Sequence, residues 1–224
     1  MRKRLTQVER SEDTRRRLLE AARRVFVQRG FHAATLEQVA EAAGFTKGAV
    51  YSQFESKADL FFALLEKRVE QRLGEIRSAG AAASSQEQFG SIMGRQWVRG
   101  ARADMGWQLL ALEFRVYVAR HPELRERYIG VYARLRDAIG EALAAEFRAA
   151  GLEPPMSPAD MARAALAIGQ GGLLGHLAEG EGFPEDLMDK VASAFLHSLV
   201  VEAQGKQRSR RSTRSARLRK EEIT

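Results

Sequence analysis

The sequence contains no cysteine, which excludes disulfide bonds, thiol catalysis and cysteine-ligated zinc and fits a reducing compartment. It also lacks any run close to the roughly 20 apolar residues that a membrane-spanning helix requires. The N-terminus, MRKRLTQVERSED, is basic and then acidic, so it has no apolar segment of the kind found in signal peptides. We therefore expect a soluble cytoplasmic protein with no membrane partner.

Patterns typical of enzymes and metal sites are missing as well. No glycine-rich phosphate loop follows a strand, no paired-histidine motif occurs, and the four histidines are scattered at His32, His121, His176 and His197. His176 and His197 could meet if the last two helices pack together, but ordinary histidines on helix faces explain them better. We expect no catalytic residue, no metal and no cofactor.

Charge is distributed unevenly around the net value of +7. Residues 1–58 carry 12 Lys and Arg against 7 Asp and Glu, residues 59–204 carry 16 against 20, and residues 205–224 carry 8 against 2. The two terminal segments are thus basic and the middle of the chain is acidic. This distribution indicates that a polyanion such as DNA binds the terminal segments, since Lys and Arg neutralise phosphates. For the C-terminal run alone, a solvated charged segment explains the composition equally well.

Strand signals are nearly absent, and apolar residues recur at helical spacing, so we expect an all-α protein. A first helix is predicted from Glu12 to Arg29, ended by Gly30, with Phe31 folding back on Phe26. A capping box from Thr35 to Gln38 opens a second helix, which Gly44 ends. Thr46 caps a short third helix, Lys47 to Phe54, whose buried residues are Val50 and Phe54. Two short helices joined by three residues make a helix-turn-helix, which the first helix braces.

The remaining chain predicts a larger helical body. Ser56 to Asp59 caps a long fourth helix, and Ser78 to Ser85 is predicted to be a flexible connection. Further helices are expected at about 86–99, 105–120, 122–150, 159–179 and 184–204. The resulting domains are a basic arm (1–10), the helix-turn-helix (11–56), a ligand-binding and dimerisation domain (57–204) and a disordered basic tail (205–224).

The segment Ala43-Gly-Phe-Thr-Lys-Gly-Ala-Val-Tyr-Ser-Gln-Phe-Glu-Ser-Lys-Ala-Asp-Leu60 closely resembles the recognition segment of TetR-family repressors. That pattern is A-G-hydrophobic-(S/T)-x-G-x-hydrophobic-Y-x-x-F-x-(S/N)-K-x-x-L, and every fixed position matches. The resemblance covers residues 14–65 and implies a dimer joined by the last two long helices, a ligand cavity in the body, and cytoplasmic control of transcription. The family often has histidine before the phenylalanine, where this chain has Gln53.

Residues of the helix-turn-helix are the expected contacts to double-stranded DNA. The free amides at the start of the third helix and the hydroxyl of Tyr51 suit phosphates, while Lys47 suits a guanine edge and Ala49 a thymine methyl. Gly48 costs about 1 kcal/mol against alanine in a helix, and close approach of the backbone to DNA explains it. If these residues have no role in DNA binding, the alternative is that Tyr51 is a half-buried aromatic residue of the helical core and Lys57 a solvated charge. The predicted set is Thr35, Thr46, Lys47, Gly48, Ala49, Tyr51, Ser52 and Lys57.

The helix at 105–120 is apolar on every face except at Gln108, Glu113 and Arg115, so we expect other helices to surround it. A small-molecule effector is expected to contact some of Trp97, Trp107, Gln108, Glu113, Phe114 and Tyr117. The alternatives are that the aromatic residues are ordinary core and that Glu113 forms an ion pair with an arginine of the next helix.

The last two helices carry the expected homodimer seam. Four glycines, Gly169, Gly171, Gly172 and Gly175, allow helices to approach closely. The apolar positions of the seam are Ala164, Ala165, Leu166, Leu173, Leu177, Val191, Phe195, Leu199 and Val200. The functional prediction is a repressor released from a palindromic operator by a small molecule. A structural, nucleoid-associated protein of the same fold without an inducer is the alternative.

Overall fold

The computed structural model describes residues 6–82, 104–184 and 186–221, and every regular element in these ranges is helical. The all-α prediction is confirmed. None of the described helices is both long and apolar enough to cross a membrane. The elements are α1 (Gln7–Ala33), α2 (Leu36–Ala43), α3 (Lys47–Tyr51), α4 (Lys57–Ala82), α5 (Met105–Arg120), α6 (Arg125–Ala149), α7 (Pro158–Glu179) and α8 (Leu187–Glu221), with 3-10 turns at Pro122–Leu124 and Gly180–Gly182.

Contacts divide the described residues into two compact units. The first contains the residues up to Gln71 and those from Asp104 to Tyr132, and the second contains those from Arg72 to Ala82 and from Ala133 onward. The first unit therefore joins α5 to the helix-turn-helix. The four predicted domains place a boundary near residue 56, and that division stays a prediction.

The ends of the first three helices follow from their capping residues. Thr35 and Gln38 form the predicted capping box, and Gly44 ends α2 in the left-handed conformation with a φ of 71°. The side chain of Thr46 accepts the N–H of Ala49, as predicted for the N-cap of α3. Three helix ends predicted from sequence are thus confirmed.

The start of α1 differs from the prediction. The helix begins at Gln7, because Thr6 and Glu9 form a capping box in which each side chain accepts the other's backbone N–H. Part of the predicted basic arm, residues 7–10, is therefore helical, while residues 1–5 lie outside the described part. At the far end, Gly30 leaves helical geometry with φ 77° and ψ 163°.

Aromatic side chains from three helices form the core of the first unit. Phe26 and Phe31 of α1 lie 5.9 Å apart between ring centroids, as predicted. Phe61 of α4 stacks on Phe114 of α5 with centroids 4.0 Å apart and on Trp107 at 5.8 Å. Phe26, Phe61 and Phe114 have no exposed surface. This cluster fixes α5 on the helices that carry α2 and α3.

The second unit has a smaller core, formed by α6, α7 and α8. It contains Ala144, Phe147, Met161, Leu199 and Ala203. Leu199, predicted to lie in the dimer seam, is 2% exposed within this single chain. Leu174, Val191 and Val201 of α7 and α8 keep 48%, 37% and 53% of their surface exposed.

Two segments predicted to be irregular are helical in the parts that the structure describes. α4 continues to Ala82, four residues beyond Ser78, since the Ala-rich sequence there favours helix. α8 continues to Glu221 through the tail predicted to be disordered. Lys206 Nζ donates to the carbonyl of Pro155 at 2.7 Å, and Gln207 Nε2 donates to that of Gly151 at 2.9 Å. These contacts extend the helix past its predicted end at Gln204. The helix predicted at 86–99, with Trp97, lies outside the described residues.

Candidate nucleic-acid interface

Contacts from α1 stabilise the turn between α2 and α3. Arg17 Nη2 donates to the carbonyl of Ala43 at 3.2 Å, and its guanidinium carbon lies 4.6 Å from the ring centroid of Phe45. Val50 and Phe54 anchor the short α3 segment, with 0% and 4% of their surface exposed. The role of Arg17 has no sequence signal, because cations are common on exposed helix faces.

The opposite face of α3 is open to solvent. Thr46, Lys47, Gly48, Tyr51 and Ser52 are exposed, and Ala49 is half-buried. The structure therefore brings six predicted contact residues together on one surface, with the amides of the helix start beside them. Thr35 is also exposed, at the start of α2, where its hydroxyl serves the capping box.

Gly48 is not required by internal packing. A Cβ atom added there would find its nearest neighbour, the Thr46 hydroxyl, at 3.9 Å, which is ordinary van der Waals contact. Its φ is not positive, so its backbone does not need glycine either. Neither packing nor backbone geometry among the described residues therefore explains the propensity cost of about 1 kcal/mol at Gly48, and close approach of the α3 backbone to DNA stays a prediction.

Lys47 is paired with an acidic neighbour across the motif. Its Nζ forms an ion pair with Glu37 of α2 and lies 5.5 Å from the ring centroid of Tyr51. The hydrogen bond with Glu37 raises the pKa of Lys47, and the same bond lowers the pKa of Glu37. Both groups are charged at neutral pH, so an anion or base that binds Lys47 has to compete with Glu37.

Gln53, which stands where the resembled family often has histidine, is bound to α1. Its Nε2 donates to the hydroxyl of Ser11 at 3.1 Å, and its carbonyl accepts from Arg15 Nη1 at 3.4 Å. These bonds join the end of the recognition segment to the first helix. Sequence reasoning did not find this contact, since Ser11 lies 42 positions away.

Lys57 has partners inside the domain. Its Nζ donates to the carbonyls of His32 at 2.9 Å and Ala34 at 3.0 Å, and it lies 4.8 Å from the ring centroid of Phe31. Burial lowers the pKa of Lys57. The cation thus satisfies carbonyl groups at the end of α1, where a positive charge is favourable. This is neither the solvated charge considered from sequence nor a group whose charge is freely available to phosphate.

The Lys57→Met variant is expected to lower the free energy of unfolding by about 1 to 3 kcal/mol, because two carbonyl groups lose their donor. Urea unfolding of this variant measures the loss. Lys67→Met removes an exposed cation from the same helix and is the matched control, expected to stay within about 0.5 kcal/mol of the wild type. If Lys57→Met unfolds like the wild type but binds DNA more weakly, Lys57 contributes through a contact to DNA phosphate and not through stability.

The predicted effector contacts on α5 lie on different sides of that helix. Trp107 and Phe114 face the aromatic core and are 5% and 0% exposed, whereas Gln108 is half-buried. Tyr117 packs on Phe31 with ring centroids 4.8 Å apart. Leu109 and Val116 remain 44% and 43% exposed among the described residues. The helix predicted at 86–99 lies outside them, so the prediction that other helices surround α5 stays a prediction.

Glu113 binds the backbone of α1. Its Oε2 accepts the N–H of Phe31 at 2.7 Å, next to the non-helical Gly30. The described structure shows this contact where sequence considered an ion pair with an arginine. The carboxylate thus links α5 to the end of α1, and no local pattern predicts a contact across 82 positions.

Two family models match the sequence over most of its length. Residues 18–64 match the model described as bacterial regulatory proteins of the tetR family. Residues 93–201 match the C-terminal model of BetI-type transcriptional repressors. The first match contains the helix-turn-helix, and the second reaches into α8.

Known proteins with similar sequence or structure are regulators as well. The chain is 29% identical over 167 residues to the transcriptional repressor Rv1474c of Mycobacterium tuberculosis, covering 75% of this chain and 83% of that protein. It is 40% identical over 68 residues to the transcriptional activator FasR of Mycolicibacterium smegmatis, but it spans only 31% of that protein and 30% of this chain.

A solved structure shares the fold. FadR from Bacillus subtilis, a transcriptional regulator in complex with stearoyl-CoA, superposes with a TM-score of 0.68 at 15% identity, covering 83% of this chain and 97% of that chain. Together with the helix-turn-helix geometry and the two family matches, these similarities identify the chain as a DNA-binding transcriptional regulator of the TetR family.

Proposed function

We propose that the protein is a repressor that binds a palindromic operator as a homodimer and leaves it when a small molecule binds. The observation that carries the proposal is the open face of α3, on which Lys47, Gly48 and Tyr51 are exposed around a capped helix start. One helix-turn-helix reads only a few base pairs, so a dimer that places two recognition helices ~34 Å apart supplies the rest of the specificity.

Each residue of the face has a role in the proposed complex. The amides beside Thr46 and the hydroxyl of Tyr51 bind phosphates, and Gly48 lets the backbone approach the DNA. Lys47, Ala49 and Ser52 enter the major groove. Thr35 and Lys57 lie at the edge of this face. Thr35 stabilises the start of α2 and Lys57 the end of α1, and both of these helix ends flank the DNA backbone in the proposed complex.

Lys47→Ala is expected to relax base preference at a few operator positions, because it removes the side chain proposed to read a guanine edge. Sequencing of DNA selected by the variant and by the wild type measures this change. Glu37→Gln, which removes the competing carboxylate but keeps Lys47, is the control and should retain the wild-type preference. An unchanged binding motif for Lys47→Ala would show that Lys47 does not read bases.

The proposed dimer seam is formed by α7 and α8, where Leu174, Val191 and Val201 remain exposed in the single chain. Exposed apolar residues on adjacent helices are suited to a second copy of the same surface. Sedimentation of the wild type is expected to show a dimer, and Leu174→Glu combined with Val201→Glu should give a monomer with weakened operator binding. A dimer that survives both changes would place the interface elsewhere.

A small-molecule effector is supported by the similar FadR structure, which contains stearoyl-CoA. We propose that the site involves residues among Trp97, Trp107, Gln108, Glu113, Phe114 and Tyr117. A ligand that prefers the non-DNA geometry lowers operator affinity by its differential affinity for the two states, commonly about 1 to 3 kcal/mol. Tryptophan fluorescence should change on addition of any compound that releases the operator.

The basic C-terminal helix is proposed to add affinity without specificity. Truncation after Arg210 keeps the contacts of Lys206 and Gln207 with the α6–α7 loop and removes five cations, Arg211, Arg214, Arg217, Arg219 and Lys220. This truncation should preserve operator preference and weaken binding mainly at low salt, with a shallower salt dependence. Truncation after Lys220, which removes Glu221 and Glu222, is the control. Loss of dimerisation on the longer truncation would instead make this segment structural.

Mapping of the protein on its chromosome, together with transcript levels after deletion, tests the proposed function in cells. The proposal expects a few discrete sites beside promoters and a rise of the adjacent transcripts on deletion. A fall of those transcripts would indicate an activator. Many dispersed sites without transcript changes would favour the structural, nucleoid-associated alternative, which the basic α8 segment makes worth testing.

A further inference from the structure

An arginine lies half-buried between α5 and the first turns of α6. Arg115 Nε donates to the hydroxyl of Tyr128 at 3.0 Å, and the guanidinium carbon lies 5.8 Å from the ring centroid of Tyr132. The two tyrosine rings pack on each other with centroids 4.6 Å apart. The three residues form a cluster that contributes no contact to the α3 surface.

This guanidinium has no carboxylate partner among the described residues. Tyr128 cannot serve as a counter-ion, because burial, aided by neighbouring Tyr132 and opposed by Arg115, raises the pKa of Tyr128. Its hydroxyl is therefore neutral at physiological pH. The contrast with the adjacent cation is clear, since Arg127 forms an ion pair with Asp59 of α4.

Among the described residues Arg115 packs on neutral tyrosines, and a half-buried charge in such surroundings is stabilised by an anion that binds it. The guanidinium presents a planar fork that matches carboxylate and phosphate oxygens bidentately. Nε donates to Tyr128, and the guanidinium also interacts with the hydroxyl of Tyr132, so the proposed anion shares the Nη groups with that hydroxyl. The tyrosine hydroxyls supply further hydrogen bonds beside it.

The position of Gln108 extends this cluster along α5. It lies seven residues before Arg115, so both residues occupy nearly the same face, about 10 Å apart along the helix axis. Glu113 and Tyr117 contact α1 from another side of α5. Among the described residues, the Arg115 side thus includes a cation, two tyrosine hydroxyls and, two turns away, an amide.

We propose that Arg115, assisted by Tyr128 and Tyr132, binds the acidic group of the effector, which is an organic anion with an apolar remainder that extends toward Gln108. The acidic group is a carboxylate or a phosphate ester. This inference rests on the proposed effector response and names the chemical class of ligand and the residue that recognises its charge.

Calorimetric titration of the full-length protein with octanoate, octyl phosphate and neutral octanamide tests the inference. The two anions are expected to bind the wild type at least tenfold more tightly than octanamide, and the tighter of them identifies the acidic group. Arg115→Met should weaken anion binding at least tenfold. Arg115→Lys, which keeps the charge but loses the fork, should weaken it less and guards against a folding defect of the methionine variant. Arg120→Met, an exposed position on the same helix, should bind like the wild type.

Failure of both anions to bind the wild type, equal binding of octanamide, or unchanged anion binding by both Arg115 variants would overturn the inference. Operator release is measured separately on the same samples. Binding that depends on Arg115 without release of the operator would leave the anion site standing and contradict the proposed effector response. Release by a compound whose binding ignores Arg115 would support induction and reject this site.

Discussion

Phe114→Ala is expected to lower the free energy of unfolding by about 3 to 5 kcal/mol, the usual range for removing a large buried aromatic residue. Phe114 has no exposed surface and lies between rings of three other helices: Phe31 of α1, Phe61 and Phe62 of α4, and Tyr128 of α6. Its loss removes contacts in several directions at once, so the cavity cannot collapse easily. Urea unfolding followed by circular dichroism measures the change.

The matched control is Leu109→Ala on the same helix, where 44% of the side chain is exposed. We expect a change below about 1 kcal/mol there. The comparison also decides between two interpretations of Phe114. A near-neutral Phe114→Ala that alters ligand binding would show that the ring lines a cavity, whereas the expected large loss shows that it is core.

Gly30→Ala is expected to cost about 2 to 4 kcal/mol, for two independent reasons. The backbone at Gly30 has φ 77° and ψ 163°, a combination open essentially to glycine alone, and strain there costs roughly 1 to 3 kcal/mol. In addition, an added Cβ would lie 2.9 Å from Glu113 Oε2, which disturbs the bond from the Phe31 N–H. Thermal and urea unfolding report the loss, and operator affinity should fall with it as α1 loses its attachment to α5.

Gly151→Ala is a comparison in which an added Cβ meets no neighbour. Gly151 also has a positive φ, 68°, but an added Cβ there meets no atom within 4 Å, so only backbone strain is expected. The double variant Gly30→Ala with Glu113→Ala should lose less than the sum of the single changes, because the crowded carboxylate is gone. Strict additivity in the double variant would contradict the coupling between α1 and α5.

The local structure of the helix-turn-helix was predictable because its signals are local. Thr35 with Gln38, Gly44 and Thr46 each act within four residues. Val50 and Phe54 are both buried as predicted, but α3 ends at Tyr51 rather than at the predicted Phe54. The capping box of Thr6 and Glu9 has the same kind of signal, but the basic residues around it led to the prediction of a basic arm at residues 1–10. The predicted start of α1 was therefore wrong although the capping pattern is present in the sequence, because the prediction gave more weight to the basic charge.

The contacts that join distant segments were not predictable in the same way. Glu113 on α5 accepts a hydrogen bond from Phe31, which lies 82 positions away in the sequence. Lys57 donates to the carbonyls of His32 and Ala34, which lie 25 and 23 positions away. Sequence showed that a charge on the apolar α5 requires a partner, but it could not choose between an arginine, a ligand and a backbone N–H. The helical tail was missed because composition argued for disorder, whereas Lys206 and Gln207 find backbone carbonyls in the second unit.

The central claim is that the exposed face of α3 reads DNA in a symmetric pair. Selection of binding sites by the full-length protein from random double-stranded DNA tests it most directly, with the mass of the selected complex measured afterwards. We expect one enriched inverted repeat, with half-sites one helical turn apart or a multiple of it, bound by an even number of chains. Recovery of an asymmetric site bound by a single chain, or of no enriched sequence at all, would contradict it.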